Sequence, residues 1–183
     1  MLVTRKQKLM QKDKDKVPPH SILHSLLEHY EARRYEDAEK LAISITQQFP
    51  NHQFSWKVLG STLRQVGRVS ESLVFSQKAI QLNLKDADSH NNLGNTLNDL
   101  GRLGEAEASY RQAIELNPKY AMAHNNLGNI LKNLHRPEEA EASYRQAIIL
   151  KPSLTQAHYG LGLLLYEAAQ YEEASEYFKR SDF

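Results

Sequence analysis

The chain has 183 residues, 40% of them hydrophobic and 25% charged, with a formal net charge of +1 and no cysteine. This composition is typical of a folded protein, and the lack of cysteine excludes disulfides and thiolate chemistry. No run of 18 apolar residues occurs, and no apolar segment of a secretory signal follows the charged N-terminus. We therefore expect a cytoplasmic protein without a membrane segment.

The first segment in chain order is strongly basic. Residues 1–16 contain six basic and two acidic side chains, a net charge of +4, so the remaining 167 residues carry −3. The charge run predicts a flexible leader over residues 1–18. A mildly acidic body is a poor surface for phosphates, so we expect no nucleic-acid partner.

From Pro19 onward the sequence repeats itself with a period of 34 residues. The segment HNNLGNTLNDLGRLGEAEASYRQAIELNPKYA begins at His90, and HNNLGNILKNLHRPEEAEASYRQAIILKPSLT begins at His124. The same offset relates Gly60, Gly94, Gly128 and Gly162. Such self-similarity indicates an array of structural repeats. The predicted repeat domain is 19–183, divided into 19–52, 53–86, 87–120, 121–154 and 155–183.

Each repeat contains two helical patterns. In the third repeat, Leu93, Gly94 and Leu97 share one helix face, and a break follows at Gly101. A second apolar face follows, made of Leu103, Ala106, Tyr110, Ala113, Ile114 and Leu116. Pro118 then stops the second helix. We expect two antiparallel helices that approach closely where the small residues Gly94 and Ala106 lie.

These features resemble the tetratricopeptide repeat family over about nine tenths of the chain. The Leu-Gly pair, the alanines, the Tyr or Phe and the Pro recur at the family's offsets, and Trp56 stands at its aromatic position. The first repeat departs most, because Ser25-Leu26 replaces Leu-Gly. The resemblance implies an all-α, right-handed α-solenoid, a superhelix of about five helix-turn-helix repeats. It also implies a protein-protein interaction scaffold with a concave groove lined by the first helix of each repeat.

The groove residues follow from helix geometry at 100° per residue. Positions are counted from the first residue of each repeat, for example Ala87, Ala121 or Thr155. Positions 2, 5, 6, 9 and 13 of each first helix then lie opposite its packing side. The predicted peptide-binding residues are Phe54, Lys57, Asn91, Asn92, Asn95, Met122, Asn125, Asn126, Asn129, Asn133 and Tyr159. Asparagine amides offer donors and an acceptor that match a peptide backbone. The alternative is a solvated helix face that makes no specific ligand contact, and the sequence leaves both open.

The asparagines also resemble the ladder inside the superhelix of O-linked N-acetylglucosamine transferases. That resemblance implies that Asn92 and Asn126 clamp a peptide backbone. It does not extend to repeats one, two and five, where His24, Val58 and Gly160 occupy the position.

Three histidines, His90, His124 and His158, recur at the position of Trp56. Equivalent helices of adjacent repeats lie about 10 Å apart, too far for one metal ion that needs each nitrogen at about 2 Å. We therefore predict that the histidines pack and bind no metal. The sequence lacks the nucleotide, hydrolase and metalloprotease motifs, so we expect neither an enzyme nor a cofactor.

The sequence thus predicts a scaffold that binds a protein or an extended peptide. Two alternatives stay open. The chain is the recruiting or regulatory N-terminal arm of a larger enzyme, such as a glycosyl- or sulfotransferase, or it is a self-assembly module. The self-assembly alternative rests on repeat five. No polar capping helix follows this repeat in the sequence, so a homo-oligomer would form through it.

Overall fold

The computed structural model describes residues 17–181, and this part of the chain contains ten α-helices and no β-strand. Most of the predicted leader, residues 1–16, lies outside the described residues, as do residues 182–183 of repeat five. The helices are α1 His20–Glu31, α2 Tyr35–Gln48, α3 Gln53–Gln65, α4 Val69–Leu82, α5 Ala87–Asp99, α6 Leu103–Leu116, α7 Ala121–Asn133, α8 Pro137–Leu150, α9 Thr155–Glu167 and α10 Tyr171–Ser181. Each predicted repeat therefore holds one helix pair.

The turn inside each helix pair contains one residue with a positive φ angle. These residues follow at intervals of 34 and have φ between 57° and 80°: Arg33, Gly67, Gly101, His135 and Ala169. Glycine adopts this left-handed conformation without steric cost, whereas a residue with a Cβ atom loses about 1 kcal/mol. The three non-glycine turns show that the short connection, rather than the residue type, dictates the backbone here.

Contacts between Cα atoms divide the chain after Lys85 into two compact units. The first unit contains α1 to α4. Its core is a continuous cluster of buried side chains: Leu26, Ala38, Ala42, Ile45, Val58, Leu59 and Leu63. Trp56 and Phe75 pack against this cluster, with stacked rings whose centroids lie 5.8 Å apart.

The second unit begins at Asp86 and contains α5 to α10. Two buried tyrosines pack where the helices of a pair come closest. A Cβ atom on Gly94 would lie 2.6 Å from the ring of Tyr110, and one on Gly128 would lie 2.7 Å from the ring of Tyr144. The prediction of close approach at Gly94 is confirmed, because only the absent side chain leaves room for the ring.

Ion pairs connect the outer helices of the second unit. Arg136 Nη1 donates to the Glu107 carboxylate at 2.8 and 2.9 Å, and Arg136 Nη2 lies 2.7 Å from Glu139. Pairs within one helix also form, Glu107 with Arg111 at 2.9 Å and Glu141 with Arg145 at 2.8 Å. Because these groups are partly exposed, each pair contributes at most about 1 kcal/mol.

The recurring histidines take the place of the tryptophan. Trp56 Nε1 donates to the carbonyl of Pro50 at 2.8 Å, six residues before it. The ring nitrogens Nε2 of His124 and His158 make the same bond to Pro118 and Pro152, at 3.1 and 2.8 Å. Each of these two histidines thus ties its helix to the preceding connection, and His158 is also buried.

No group of three ligating side chains suited to a metal ion occurs within residues 17–181. In the same span, no helix combines the length and apolar character that a bilayer crossing requires.

Candidate functional site: the asparagine face of the second unit

Six asparagines lie on the neighbouring helices α5 and α7 and are here together named the asparagine face: Asn91, Asn92, Asn95, Asn125, Asn126 and Asn129. On each helix they occupy positions i, i+1 and i+4, which lie on one side of an α-helix. The two helices contact each other directly. Amides from neighbouring repeats therefore meet side by side.

The lower level of this face is buried. Asn91 is 5% exposed and Asn125 2% exposed, so their amides lie beneath the surface rather than on it. Asn126 Nδ2 donates to Asn91 Oδ1 at 3.0 Å and to Asn95 Oδ1 at 3.2 Å. Both amide hydrogens of Asn126 are thus used between repeats, although its resemblance to the transferase ladder implies a contact with a peptide.

The upper level consists of Asn95 and Asn129, whose orientation a tyrosine fixes in each repeat. The hydroxyl of Tyr110 donates to Asn95 Oδ1 at 2.8 Å, and that of Tyr144 donates to Asn129 Oδ1 at 2.7 Å. Burial raises the pKa of Tyr144 above its ordinary value, so the hydroxyl stays a neutral donor. Within residues 17–181, the Nδ2 groups of Asn95 and Asn129 have no hydrogen-bond partner.

The network is incomplete at its end nearest repeat five. Asn91 Oδ1 accepts from Asn126, but the equivalent atom of the next repeat, Asn125 Oδ1, is buried without a hydrogen-bond partner in the described chain. The residue 34 positions after Asn126 is Gly160, which has no side chain to donate. Asn125 Nδ2 does donate to Asn126 Oδ1, at 3.3 Å.

Three further predicted residues flank this face. Asn133 is exposed one turn beyond Asn129, and Tyr159 is 42% exposed with its ring 5.9 Å from that of Phe178. Met122 is half-buried and packs against a small cluster of Ala121, Ala147, Leu154 and Ala157. Met122 therefore serves packing within the unit.

Phe54 and Lys57, the two remaining predicted residues, belong to the first unit. Phe54 packs against the core of that unit, and Lys57 Nζ lies 6.0 Å from the centre of its ring. Both side chains are half-buried. The peptide contact predicted for the eleven residues stays a prediction.

Comparison with protein families identifies the repeat. A TPR repeat model matches residues 94–134, and tetratricopeptide repeat models match residues 121–154 and 155–182. Residues 94–182 belong to the tetratricopeptide repeat family. A search of curated proteins finds no match to this chain.

Solved structures support the same fold over most of the tetratricopeptide repeat chain. It resembles TTC0263, a thermophilic TPR protein of Thermus thermophilus, at 21% identity and a TM-score of 0.78, covering 88% of each chain. It also resembles PilF of Pseudomonas aeruginosa, at 18% identity and a TM-score of 0.81, covering 93% of this chain and 76% of PilF. A third similar structure is that of MamA from Desulfovibrio magneticus RS-1, at 16% identity and a TM-score of 0.74. The match covers 87% of this chain and 90% of the MamA chain. At these identities the likeness shows the α-solenoid fold alone.

The tyrosines that orient the amides do not follow from the geometry of a single helix, because they lie on the second helix of each repeat. A signal for them exists in the tetratricopeptide repeats themselves, because a tyrosine follows the asparagine by 15 residues in repeats three and four. In repeat five both partners change together, to Leu163 and Phe178. A polar pair is thus replaced by an apolar pair, as expected for residues in contact.

Asn126→Asp should destabilise the second unit by about 1 to 3 kcal/mol, because carboxylate oxygens would then face the acceptors Asn91 Oδ1 and Asn95 Oδ1. Urea denaturation followed by circular dichroism measures this loss. Asn117→Asp is the matched control, since its side chain lies in an exposed connection and its Oδ1 accepts the backbone N–H of Lys119. Equal stability of the two variants would show that the Asn126 bonds contribute nothing.

Proposed function

We propose that this chain is a protein-interaction scaffold that binds an extended peptide segment of a partner on the asparagine face. The contacts that carry the proposal are the Nδ2 groups of Asn95 and Asn129. Each belongs to an amide whose oxygen already accepts a tyrosine hydroxyl, so the group is held in one orientation before a ligand arrives. A fixed donor loses little conformational entropy on binding.

The spacing of the two donors suits an extended chain. Adjacent packed helices lie about 10 Å apart, and an extended peptide rises about 3.3 Å per residue. In the polyproline II conformation, which has three residues per turn and rises about 3.1 Å per residue, carbonyls three residues apart point to the same side and would meet Asn95 and Asn129 in turn. Main-chain contacts of this kind read little of the ligand sequence, so the scaffold would accept different peptides with the same backbone shape.

Hydrogen bonds alone would give weak binding. In the free chain, an exposed Nδ2 group donates to water. Each new hydrogen bond to the peptide therefore contributes only about 1 kcal/mol net to the binding free energy. Affinity therefore requires an apolar anchor, and the exposed ring of Tyr159 is placed on the next first helix, α9. We expect bound peptides to carry an apolar or aromatic side chain on the side nearer repeat five.

The experiment selects peptides from a displayed library of random extended peptides on the purified chain, and then measures their affinities for variants. Asn129→Asp keeps an acceptor for the Tyr144 hydroxyl but replaces the outer donor with an anionic acceptor that repels a peptide carbonyl. The expected loss of affinity is on the order of 10- to 100-fold.

Asn117→Asp is again the control, because it makes the same charge change away from the asparagine face and should leave the affinity unchanged. Selected peptides that bind Asn129→Asp as tightly as the wild type would contradict the proposal, and so would a selection that enriches nothing over the bare support.

The enzyme-arm and self-assembly alternatives stay predictions. Self-association through repeat five would depend on its exposed aromatic side chains, Tyr166 and Tyr171, which are 57% and 59% exposed with ring centroids 5.2 Å apart.

A further inference from the structure

A second groove lies away from the asparagine face, between the outer helices α6 and α8. Its volume is about 410 Å³. His124 and Leu127 of α7 form the floor, Arg111 and Ile114 of α6 one wall, and Ser143 with its neighbours on α8 the other. The groove, here named the His124 groove, has an imidazole and a leucine at its floor and carries both Arg111 and Glu115 on the α6 wall.

The corresponding place one repeat further along is filled by the chain itself. Tyr177 of α10 lies there, with its ring centroid 5.9 Å from the ring of His158 and 5.9 Å from the guanidinium carbon of Arg145. Arg145 Nη1 donates to the Tyr177 hydroxyl at 3.0 Å. Under this ring, His158 is only 3% exposed.

The two places correspond residue by residue. Arg111 and Arg145, and His124 and His158, are each 34 positions apart, and Ser143 stands where Tyr177 would be. The Ser143 hydroxyl donates to the Glu139 carbonyl at 2.9 Å, and this short side chain lines the groove without filling it. The His124 groove is therefore the Tyr177 site without its tyrosine.

An aromatic side chain is also present at this position in the first unit. Phe75, two periods before Ser143, stacks on Trp56, two periods before His124. Two of the repeats thus cover the tryptophan or histidine with a ring from their own second helix. Repeats three and four carry a serine instead, Ser109 and Ser143.

The hydrogen bonds of Arg145 and Arg111 show which N–H group of Arg111 makes no bond within the described residues. Arg145 uses Nε for Glu141, Nη2 for Glu173 and Nη1 for the Tyr177 hydroxyl. Arg111 uses Nε for Glu107 at 2.9 Å and Nη2 for Glu139 at 3.3 Å. In the described part of the chain, Arg111 Nη1 has no hydrogen-bond partner, and it is the atom that binds the hydroxyl in the filled site.

We propose that the His124 groove binds a tyrosine side chain presented by a partner protein. The phenol ring lies over His124 and against Ile114 and Leu127, and its hydroxyl accepts a hydrogen bond from Arg111 Nη1. A buried tyrosine is a frequent anchor of protein interfaces, because its ring buries a large area and its hydroxyl finds one polar partner. Two carboxylates, Glu107 and Glu139, already pair with Arg111, so the site suits a neutral phenol rather than a phosphorylated one.

This site is independent of the asparagine face, and its test uses a different probe. N-acetyl-tyrosine amide is titrated into the full chain while NMR follows the side chains of His124 and Ser143 as well as His158. Saturable shifts are expected at His124 and Ser143 only, with a Kd on the order of 1 mM, as befits a ligand of this size.

Two matched probes require no variant. N-acetyl-phenylalanine amide lacks the hydroxyl, and we expect it to bind about threefold to tenfold more weakly because the bond from Arg111 is lost. The phosphotyrosine analogue is expected to bind still more weakly. Tighter binding of the phosphorylated probe would overturn the assignment of a neutral phenol, and equal binding of the first two probes would overturn the role of Arg111.

Two variants test the correspondence itself. Ser143→Tyr should fill the groove and abolish the shifts at His124, whereas Tyr177→Ser should create a second saturable site at His158. Absence of saturable shifts in the wild type, or binding to Ser143→Tyr at unchanged affinity, would overturn the proposal. Should Tyr177→Ser fail to fold, the comparison of the three probes on the wild type decides alone.

Discussion

Replacing Tyr144 with alanine is expected to lower the free energy of unfolding of the second unit by about 4 kcal/mol. The side chain is wholly buried, and its ring lies between two helices that carry glycine where they face it, at Gly128 and Gly160. Removing the ring leaves a cavity that neither glycine can fill. Urea denaturation followed by circular dichroism measures the change.

Tyr144→Phe separates the ring from its hydroxyl. The phenylalanine ring keeps the contacts with Gly128 and Gly160 and loses only the bond to Asn129, whose exposed amide then bonds to water. We expect a loss of about 1 kcal/mol. Equal losses for the alanine and phenylalanine variants would contradict the packing role of the ring.

Much of this fold follows from the sequence because the period fixes it. Identical offsets of Gly94 and Gly128, and of Pro118 and Pro152, predict where helices pack and where they end. The helix pairs fall inside the predicted repeats for this reason. These offsets are a reliable signal because they recur in several repeats of one chain.

The depth of Asn91 and Asn125 could not be read in the same way. A helical wheel assumes one packing partner, whereas α5 contacts α6 within its repeat and α7 of the next. The side of α5 between those two contacts is covered, and Asn91 lies on it. The asparagine row therefore divides into a buried inner level, Asn91 and Asn125, and an outer level, Asn95 and Asn129, whose amide oxygens accept tyrosine hydroxyls.

Equivalent positions of the repeats carry different residues both at the His124 groove and beside the asparagine face, and the consequences differ. At the His124 groove, a serine replaces a tyrosine and leaves a place that an external ring fits. At Gly160, a glycine replaces an asparagine, but the place is already taken by the ring of Tyr144. The repeat period shows which side chain is absent from a position. Only the packing shows whether another side chain fills the space.

Gly160→Asn would restore the residue found at this position in repeats three and four, where Asn92 and Asn126 stand. On the sequence alone, the change should stabilise the chain, because asparagine is a better helix former than glycine and offers a donor for Asn125 Oδ1. The structure predicts the opposite. A Cβ atom at residue 160 would lie 2.6 Å from Tyr144 Cε1 and 2.8 Å from Cζ.

The ring of Tyr144 cannot yield to this Cβ atom, because Gly128 contacts it from α7 and its hydroxyl is bonded to Asn129. We therefore expect Gly160→Asn to lower the free energy of unfolding by about 1 to 3 kcal/mol. Gly104→Asn is the control: Gly104 lies in the first turn of α6, and a Cβ atom built on it meets no atom within 4 Å, so this variant makes the same substitution without a clash and should not be destabilising. A Gly160→Asn chain more stable than the wild type in urea would show that Tyr144 moves aside and that the amide network extends into repeat five.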